Sequence, residues 1–368
     1  MKIKQDLIQQ DVLDEYIIDL DWSLSGDYLA AVTGSGQVAL RNMKSDGHWI
    51  ELGRHKHGIN SMQWHPYEAL LASAGHDGKL TLWDISLMSE AWSQDLGGWI
   101  DCLSWSSLGY YLASSSGKNL SIWSYSGKHE QFWLNPKSSI SDIEWSPDGR
   151  FIASTAKGGI TIRGYGHLET TQLLEWHGFP VKIAWQPNGK HIAMGDEEAV
   201  HFWEVETGMH HPLFGYNSKV SKMSWSSDGS YLATNDRENL VIWDCGRKKS
   251  DNEELFPLVD LISKESLVGP GCRAPILLKQ HAGAIKSLVF QKKGGLLASG
   301  DERGEVHIWN LKISKAPVES ISLGYPISKI AWSPDGQGMA VGGTEGTVSI
   351  FSFDLTEKAG ASVSLKEL

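Results

Sequence analysis

Short stretches in which apolar and polar residues alternate recur along the chain at a nearly constant interval. Each stretch ends in an aromatic residue and is followed by turn-forming residues, as in the repeated Trp-Ser-Pro-Asp-Gly at 145–149 and 332–336. The eight aromatic residues are Trp22, Trp64, Trp105, Trp145, Trp185, Trp225, Phe290 and Trp332, with gaps of 42, 41, 40, 40, 40, 65 and 42 residues. Alternation with a period of two predicts β-strands, and the even spacing predicts an internal repeat.

Every copy contains a second alternating stretch that predicts a further strand of the same unit. These third strands are predicted at 38–41, 80–83, 120–123, 160–163, 200–203, 240–243, 306–309 and 348–351. No repeat shows a sustained helical period, so we expect an all-β chain. A repeat of about 40–45 residues is what one four-stranded propeller blade requires. The sequence therefore predicts a single closed β-propeller of eight four-stranded blades, with seven blades as the alternative.

The last blade lacks an outer strand of its own, and a terminal segment is expected to supply it, because closing the ring removes exposed sheet edges. Residues 2–8, within an N-terminal segment at 1–16, are favoured over residues 362–365. The propeller is then expected at 17–353, with a C-terminal tail at 354–368. The gap of 65 residues predicts an insertion at 246–273 within blade six, which either folds back on the propeller or forms a partner-binding arm.

The repeats resemble those of the WD-repeat β-propeller family over almost the whole chain. The resemblance rests on Trp83-Asp84, Trp243-Asp244, the variants Trp203-Glu204 and Trp309-Asn310, and three histidines in corresponding turns, namely His55, His177 and His281. In that family a His, a Ser or Thr, an Asp and a Trp form a hydrogen-bonded set within a blade. The resemblance implies that His55, Ser73, Asp77 and Trp83 form this set in blade two.

Other blades depart from the family pattern. Blade seven keeps His281, Ser299 and Trp309 but has Arg303 at the position of the Asp. Blades one, four and eight end their third strands in Arg41, Arg163 and Phe351. We expect such blades to be held by packing instead of by the hydrogen-bonded set.

Charge and cysteine content narrow the class of protein. The formal net charge is −11, with 33 Lys and Arg against 44 Asp and Glu, which disfavours direct binding to nucleic acid or to an anionic membrane. The sequence shows neither an apolar run of 18 residues nor a secretory signal at its start, so a cytoplasmic protein is expected. Cys102 is expected to be a small buried residue. Cys245 and Cys272 flank the insertion and could lie near each other, but in a reducing cytosol two free thiols are favoured over a bridge.

Catalytic and metal-binding motifs are weak in this sequence. It lacks a phosphate-binding loop with Lys-Ser/Thr, a Gly-x-Ser-x-Gly elbow and a His-Glu-x-x-His motif. Asp148, Asp228 and Asp335 occupy the same hairpin turn of different blades, where their role is turn formation. We therefore predict that the protein is not an enzyme and uses no cofactor. His57 and His76, close to His55 in blade two, leave a metal site as an alternative, and the pair His210-His211 is a weaker candidate.

The loops on one face of a propeller are presented by rigid strands and are suited to binding. The blade-linking turns and hairpin turns of that face are predicted to carry Tyr16, Trp99, Phe179, Tyr216, Arg237, Arg303 and Tyr325. Aromatic residues and Arg dominate interface hot spots. The sequence thus predicts a monomeric, non-catalytic scaffold or adaptor that binds one or more proteins or peptides within a larger complex. The alternatives are a metal-binding or metal-trafficking propeller and, less favoured, an enzyme with a site in the channel.

Overall fold

A computed structural model describes residues 4–45, 47–135, 137–166, 171–246 and 275–354. These residues form eight separate four-stranded antiparallel sheets and contain no α-helix. Each sheet is one blade, and the chain is a closed eight-bladed β-propeller. The predicted fold class and blade count are confirmed, and the seven-bladed alternative is excluded. In the described part of the chain no helix is long and apolar enough to cross a membrane.

The inner strand of each blade lines the central channel, and the second strand pairs with it. The inner strands are β2 (Ile17–Trp22), β6 (Ile59–Trp64), β10 (Cys102–Trp105), β14 (Asp142–Trp145), β18 (Lys182–Trp185), β22 (Met223–Trp225), β26 (Ile285–Phe290) and β30 (Ile327–Trp332). The second strands are β3 (Tyr28–Thr33), β7 (Leu70–Gly75), β11 (Tyr111–Ser116), β15 (Phe151–Ala156), β19 (His191–Gly195), β23 (Tyr231–Asp236), β27 (Leu297–Asp301) and β31 (Gly338–Gly343).

The third and outer strands complete each blade. The third strands are β4 (Gln37–Asn42), β8 (Lys79–Asp84), β12 (Asn119–Ser124), β16 (Gly158–Gly164), β20 (Ala199–Glu204), β24 (Asn239–Asp244), β28 (Glu305–Trp309) and β32 (Thr347–Asp354). The outer strands are β5 (Ile50–Arg54), β9 (Ser89–Asp95), β13 (His129–Leu134), β17 (Thr171–Trp176), β21 (His210–Phe214), β25 (Ile276–Leu278), β29 (Glu319–Ser322) and β1 (Lys4–Val12). All the predicted third strands lie within observed ones.

The N-terminal strand β1 closes the ring as the outer strand of blade eight. It pairs antiparallel with β32 from Lys4 opposite Asp354 to Val12 opposite Thr347. The buried guanidinium of Arg41, at the end of the third strand of blade one, lies 2.7 Å from Asp11 of β1. Arg41 therefore ties blade one to the closing strand. The alternative closing segment at 362–365 lies outside the described residues.

The core of the protein lies between adjacent blades. One cluster, for example, combines Ala30 and Val32 of blade one with Ile59 and Trp64 of blade two. The indoles of seven inner-strand Trp residues add a polar link between blades, because each donates to a carbonyl of the preceding blade over 3.0–3.3 Å. The acceptors for Trp22, Trp64, Trp105, Trp145, Trp185, Trp225 and Trp332 are Ala331, Asp21, Gln63, Ser104, Glu144, Ala184 and Val289. Phe290 of blade seven has no indole and cannot form this link.

The cysteines differ from their sequence-based expectations. Cys245, at the end of the third strand of blade six, is disulfide-bonded and is not a free thiol. The predicted insertion begins here, but Cys272 and all of the insertion after Gly246 lie outside the described residues. Cys102 is a free thiol on the channel wall and is only partly buried, because inner-strand residues face the channel as well as the core.

Candidate interaction face

The blade-linking turns and the hairpin turns between second and third strands share one face, called the top face below. Backbone hydrogen bonds hold these turns together: Gly34 N donates to Tyr16 O over 3.0 Å, and Ile285 N donates to Arg237 O over 2.8 Å. Similar bonds link turns of other blades, such as Ile140 N to Gly117 O. The side chains of this face are therefore presented by an interlocked ring of turns.

The four residues of blade two that the family resemblance singles out are joined by hydrogen bonds. A carboxylate can only accept, so His55 Nδ1 donates to Asp77 Oδ1 over 3.0 Å, and His55 Nε2 accepts from the Ser73 hydroxyl over 2.8 Å. Trp83 Nε1 donates to the same hydroxyl oxygen over 2.9 Å. Burial raises the pKa of Asp77, but the bonds from His55 and from the Lys56 and Lys79 amides outweigh it and leave the pKa below its usual value.

Blade seven contains a complete set, which corrects the expectation based on Arg303. Asp301, two residues before Arg303, receives the hydrogen bond from His281 Nδ1 over 3.1 Å. Ser299 bonds His281 Nε2 over 2.7 Å and accepts from Trp309 Nε1 over 2.9 Å. In blade seven Asp301 lies two residues after Ser299, whereas in blade two Asp77 lies four residues after Ser73. The Asp301 side chain nevertheless reaches the imidazole of His281.

Tyr216 and Tyr325 were predicted on the exposed face, and the structure places both in the core, with exposed fractions of 7% and 6%. Trp243 Nε1 donates to the Tyr216 hydroxyl over 2.7 Å, and that hydroxyl bonds Thr234 over 2.8 Å. Tyr216 thus replaces the histidine of blade six. The Tyr325 hydroxyl donates to Ser349 over 2.7 Å. The prediction was wrong because a tyrosine hydroxyl can satisfy the buried partners that an imidazole satisfies elsewhere.

Blades four and five depart from the pattern in different ways. Arg163 donates from Nη1 to Ser154 Oγ over 2.9 Å, so a guanidinium takes the place of the indole, and blade four keeps a polar link. In blade five His177 is exposed, and Trp176 Nε1 donates to Asp196 Oδ2 over 2.5 Å. On the second strand of this blade, Met194 occupies the position of the serine, opposite Ile183 of the inner strand. Met194 has no hydroxyl group and cannot form the hydrogen bonds that Ser73 forms in blade two. His177, which occupies the turn corresponding to that of His55, therefore does not form the hydrogen-bonded set seen in blade two.

Five of the seven predicted face residues are exposed: Tyr16, Trp99, Phe179, Arg237 and Arg303. Trp99 and Phe179 have exposed fractions of 64% and 61%. The Trp99 ring lies 4.6 Å from the ring of His76, and the Phe179 amide donates to Asp196 over 3.1 Å. Both rings therefore project into solvent from turns that are held in place.

The two arginines of the face are fixed through their backbones. The Arg237 amide donates to Ser218 Oγ over 2.8 Å, and the Arg303 amide donates to Asp301 Oδ1 over 2.9 Å. Arg237 has φ of 53°, a left-handed conformation that a side chain other than glycine adopts only in a constrained turn. Their guanidinium groups extend from rigid positions on blades six and seven.

The histidines of blade two do not assemble a metal site. Both ring nitrogens of His55 are occupied, and His76 Nδ1 donates to the backbone carbonyl of His57 over 2.9 Å. His210 stacks on Trp203 at 4.5 Å and bonds His201 over 3.0 Å, so it belongs to the packing of blade five. Across the described ranges no group of three or more His, Cys, Asp or Glu side chains is arranged to hold a metal ion.

The channel contains a polar cavity of 460 Å³ lined by residues that include Cys102, Glu144 and Lys182. Burial raises the pKa of the Cys102 thiol to about 12, so the thiol is protonated near neutral pH and is a poor nucleophile. Burial also raises the pKa of Glu144 to about 8, and an oxygen of its carboxyl group accepts a hydrogen bond from the Trp185 amide over 3.0 Å. Glu144 thus caps a backbone donor at the blade junction.

A group of exposed tyrosines and one leucine that was not predicted from the sequence lies on the opposite, bottom face. Tyr67, Leu108, Tyr110 and Tyr125 are exposed there in the turns of blades two and three. Hydrogen bonds connect the turns: the Tyr67 hydroxyl donates to Ser107 O over 2.8 Å, and Tyr125 N donates to Tyr110 O over 3.2 Å. The signal was present in the sequence, because aromatic residues occupy turns that carry Asp-Gly in other repeats.

Comparisons with known proteins agree with this architecture. The family model described as "WD domain, G-beta repeat" (WD40) matches residues 49–84, 93–124, 128–162, 209–244, 274–310 and 319–352, which is more than half of the chain. A "Probable cytosolic Fe-S cluster assembly factor" of Schizosaccharomyces japonicus (strain yFS275 / FY16936) is 29% identical over 112 residues, covering 24% of this chain. That match spans only 18% of the relative's own length.

Among solved structures, the chain is similar to the crystal structure of the computationally designed Ika8 protein. The TM-score is 0.75 at 16% sequence identity, and the alignment covers 95% of this chain and 100% of the designed one. At this identity the likeness concerns the fold alone.

Proposed function

Since this chain belongs to the WD40 repeat family, we propose that it is a non-catalytic protein-interaction scaffold or adaptor whose partner docks on the top face. Propellers of this family generally serve to bind other proteins. The docking partner is a protein or peptide, and the propeller itself is a monomer within a hetero-complex.

The observation that carries the proposal is that the side chains of Trp99 and Phe179 are exposed to solvent on turns fixed by hydrogen bonds. Large aromatic rings are costly to leave in water and are enriched among the residues that dominate interface energies. Each ring sits on a turn fixed by hydrogen bonds, so little conformational freedom is lost when a partner covers it. These two residues are therefore the expected anchors.

The two anchors define where on the face the partner sits. Trp99 precedes the inner strand of blade three, and Phe179 precedes that of blade five. The turn that leads into blade four lies between them and carries Lys137. The Lys137 side chain packs closely over Gly158: a Cβ atom added to Gly158 would lie 2.9 Å from it. We place the docking surface across blade four, with Tyr16, Arg237 and Arg303 on the remainder of the rim.

The non-catalytic and cytoplasmic parts of the proposal have separate support. The Cys102 thiol is protonated near neutral pH, and Glu144 accepts a hydrogen bond from the Trp185 amide, so neither of these two channel residues is an activated nucleophile. The acidic net charge disfavours nucleic acid and anionic membranes as direct partners. A relative with a local match is named as a cytosolic factor, which supports a cytoplasmic location.

Affinity purification from the source cell with cross-linking mass spectrometry tests the proposal. Wild-type protein, a Trp99→Ala/Phe179→Ala double variant and a Tyr67→Ala/Tyr110→Ala double variant of the bottom face would be used in parallel. We expect a partner that is retained by the wild type and the bottom-face variant and lost from the top-face variant, with cross-links to Lys137 or its neighbours. Loss from the bottom-face variant alone would place the docking surface on the other face.

A further inference from the structure

The bottom face contains a groove between blades four and five. It has a volume of 690 Å³ and is lined by the turn after the inner strand of each of these blades and by the turn after the third strand of blade five. Pockets that hold small molecules typically measure about 300–1,000 Å³. The groove therefore has room for several side chains of a docked segment, and neither the top-face site nor the channel uses it.

The floor of the groove is apolar. Pro147 and Phe151 of blade four and Pro187 and Val205 of blade five line it. Phe151 and Val205 are half-buried and pack on the core cluster that joins the two blades, whereas both prolines are exposed. Covering an apolar surface of this kind with further apolar side chains removes it from water and is favourable.

The rim of the groove is charged, and part of this charge is uncompensated. Glu204 and Glu206 belong to the turn after the third strand of blade five, and Lys190 belongs to the turn after its inner strand. None of these three side chains forms an ion pair with a residue that the structure describes. Arg150, by contrast, pairs with Asp148 over 2.6 Å. The rim therefore favours an occupant that carries both a basic and an acidic group.

The insertion of blade six begins beside this groove. A Cβ atom added to Gly229 would lie 3.5 Å from Cδ of Pro187, and Gln186 Nε2 donates to Gly229 O over 3.0 Å. Gly246, the last described residue before the insertion, packs on the next residue of the same turn, because an added Cβ there would lie 2.6 Å from the Ser230 hydroxyl oxygen. The chain therefore leaves the described part of the propeller next to the wall of the groove.

The sequence of the insertion has the charges and the apolar residues that match the groove. Residues 247–249 are Arg-Lys-Lys, residues 251–254 are Asp-Asn-Glu-Glu, and residues 255–262 are Leu-Phe-Pro-Leu-Val-Asp-Leu-Ile. Leu255 follows Gly246 by nine residues, and a chain of this length spans up to about 30 Å when extended. That reach is sufficient to pass the turn at Gly229 and to enter the groove.

We infer that the groove between blades four and five is an intramolecular docking site for residues 247–262 of the insertion. The apolar residues at 255–262 cover its floor, the basic residues at 247–249 lie against Glu204 and Glu206, and the acidic residues at 251–254 lie against Lys190. The insertion thus folds back on the propeller and is not a partner-binding arm. This docking is independent of the aromatic anchors on the top face.

Carbodiimide cross-linking of the full chain tests the docking, since the reagent joins a carboxylate directly to an amine. Mass spectrometry of the wild type should show cross-links between Lys190 and Glu253 or Glu254. Leu258→Asp/Leu261→Asp should lose them, because charged side chains oppose burial on the apolar floor. Leu108→Asp, a change of an exposed leucine on the bottom face of blade three, is the matched control and should keep them.

The same experiment distinguishes a second copy of the chain as the occupant. In an equal mixture of ¹⁵N-labelled and unlabelled protein, the cross-links should join residues of one chain only. Cross-links that join labelled to unlabelled chains would show that the groove is an interface between two copies, and they would contradict intramolecular docking.

Hydrogen exchange of the full chain gives a readout that does not depend on cross-linking chemistry. The amides of residues 188–191 in the groove wall should exchange about tenfold or more slowly in the wild type than in Leu258→Asp/Leu261→Asp, because the docked segment covers them. The amides of residues 108–111 should exchange equally in both proteins. Absence of the Lys190 cross-links from the wild type, or equal exchange at 188–191 in the two proteins, would overturn the inference.

Discussion

Asp301 accepts a hydrogen bond from the imidazole of His281 over 3.1 Å, and both side chains are buried in blade seven. The same contact joins Asp77 and His55 in blade two over 3.0 Å. The carboxylates follow their serines at different intervals in the sequence, but the histidine, the serine and the tryptophan of the two blades are connected identically. Blades two and seven thus contain the same hydrogen-bonded set, although the spacing between the serine and the aspartate in the sequence differs.

Replacing Asp301 by Ala should destabilise the protein by about 1–3 kcal/mol, since a buried imidazole loses its partner. Asp77→Ala should cost a similar amount for the same reason. Arg303→Ala removes an exposed side chain and should cost less than about 0.5 kcal/mol. Urea unfolding of the three variants makes the comparison, and equal losses for Asp301→Ala and Arg303→Ala would show that the assignment of Asp301 is wrong.

Tyr216→Phe should cost about 1–2 kcal/mol, although the aromatic ring is kept, because the buried Trp243 indole loses its acceptor. Tyr110→Phe on the bottom face, where the ring is exposed, is the matched control and should leave the free energy of unfolding nearly unchanged. Thermal unfolding of both variants measures the difference. A melting temperature for Tyr216→Phe equal to that of the wild type would mean that Tyr216 contributes through packing alone.

Glu144 should make the free energy of unfolding depend on pH between its unfolded and folded pKa values. Burial raises its pKa from 4.5 to about 8, so the folded chain holds a proton that the unfolded chain releases above pH 4.5. The stabilisation is present in full below pH 4.5 and is lost as pH rises through about 8. Unfolding free energy should therefore fall between about pH 4.5 and pH 8, and Glu144→Gln, which keeps an oxygen acceptor for Trp185, should flatten this slope. An unchanged slope in the variant would show that Glu144 is already ionised at pH 7.

The state of the cysteines can be checked by mass spectrometry. Protein denatured without reductant and treated with iodoacetamide should be labelled at Cys102 and not at Cys245, because Cys245 is disulfide-bonded. Reduction before labelling should make Cys245 reactive. Labelling of Cys245 without reduction would restore the expectation of a free thiol drawn from the sequence.

The repeat determines most of the fold, and it could be predicted because each blade uses the same alternation and the same aromatic position. The site could be predicted only in part. Trp99 and Phe179 were identified correctly as exposed, but Tyr216 occupies the same kind of turn and is buried. Sequence alone does not distinguish an aromatic that faces solvent from one whose hydroxyl replaces a structural imidazole, since the difference depends on partners from other strands, here Thr234 and Trp243.

The most direct test of the interaction scaffold is a binding measurement with the purified partner on an immobilised propeller. Trp99→Ala and Phe179→Ala should each weaken binding by about 2 kcal/mol, or roughly thirtyfold in Kd, with nearly unchanged melting temperatures. Tyr67→Ala, Tyr110→Ala and a deletion of residues 251–268 should bind as the wild type does. Loss of binding on that deletion or in the bottom-face variants, with Trp99→Ala and Phe179→Ala binding normally, would contradict the account.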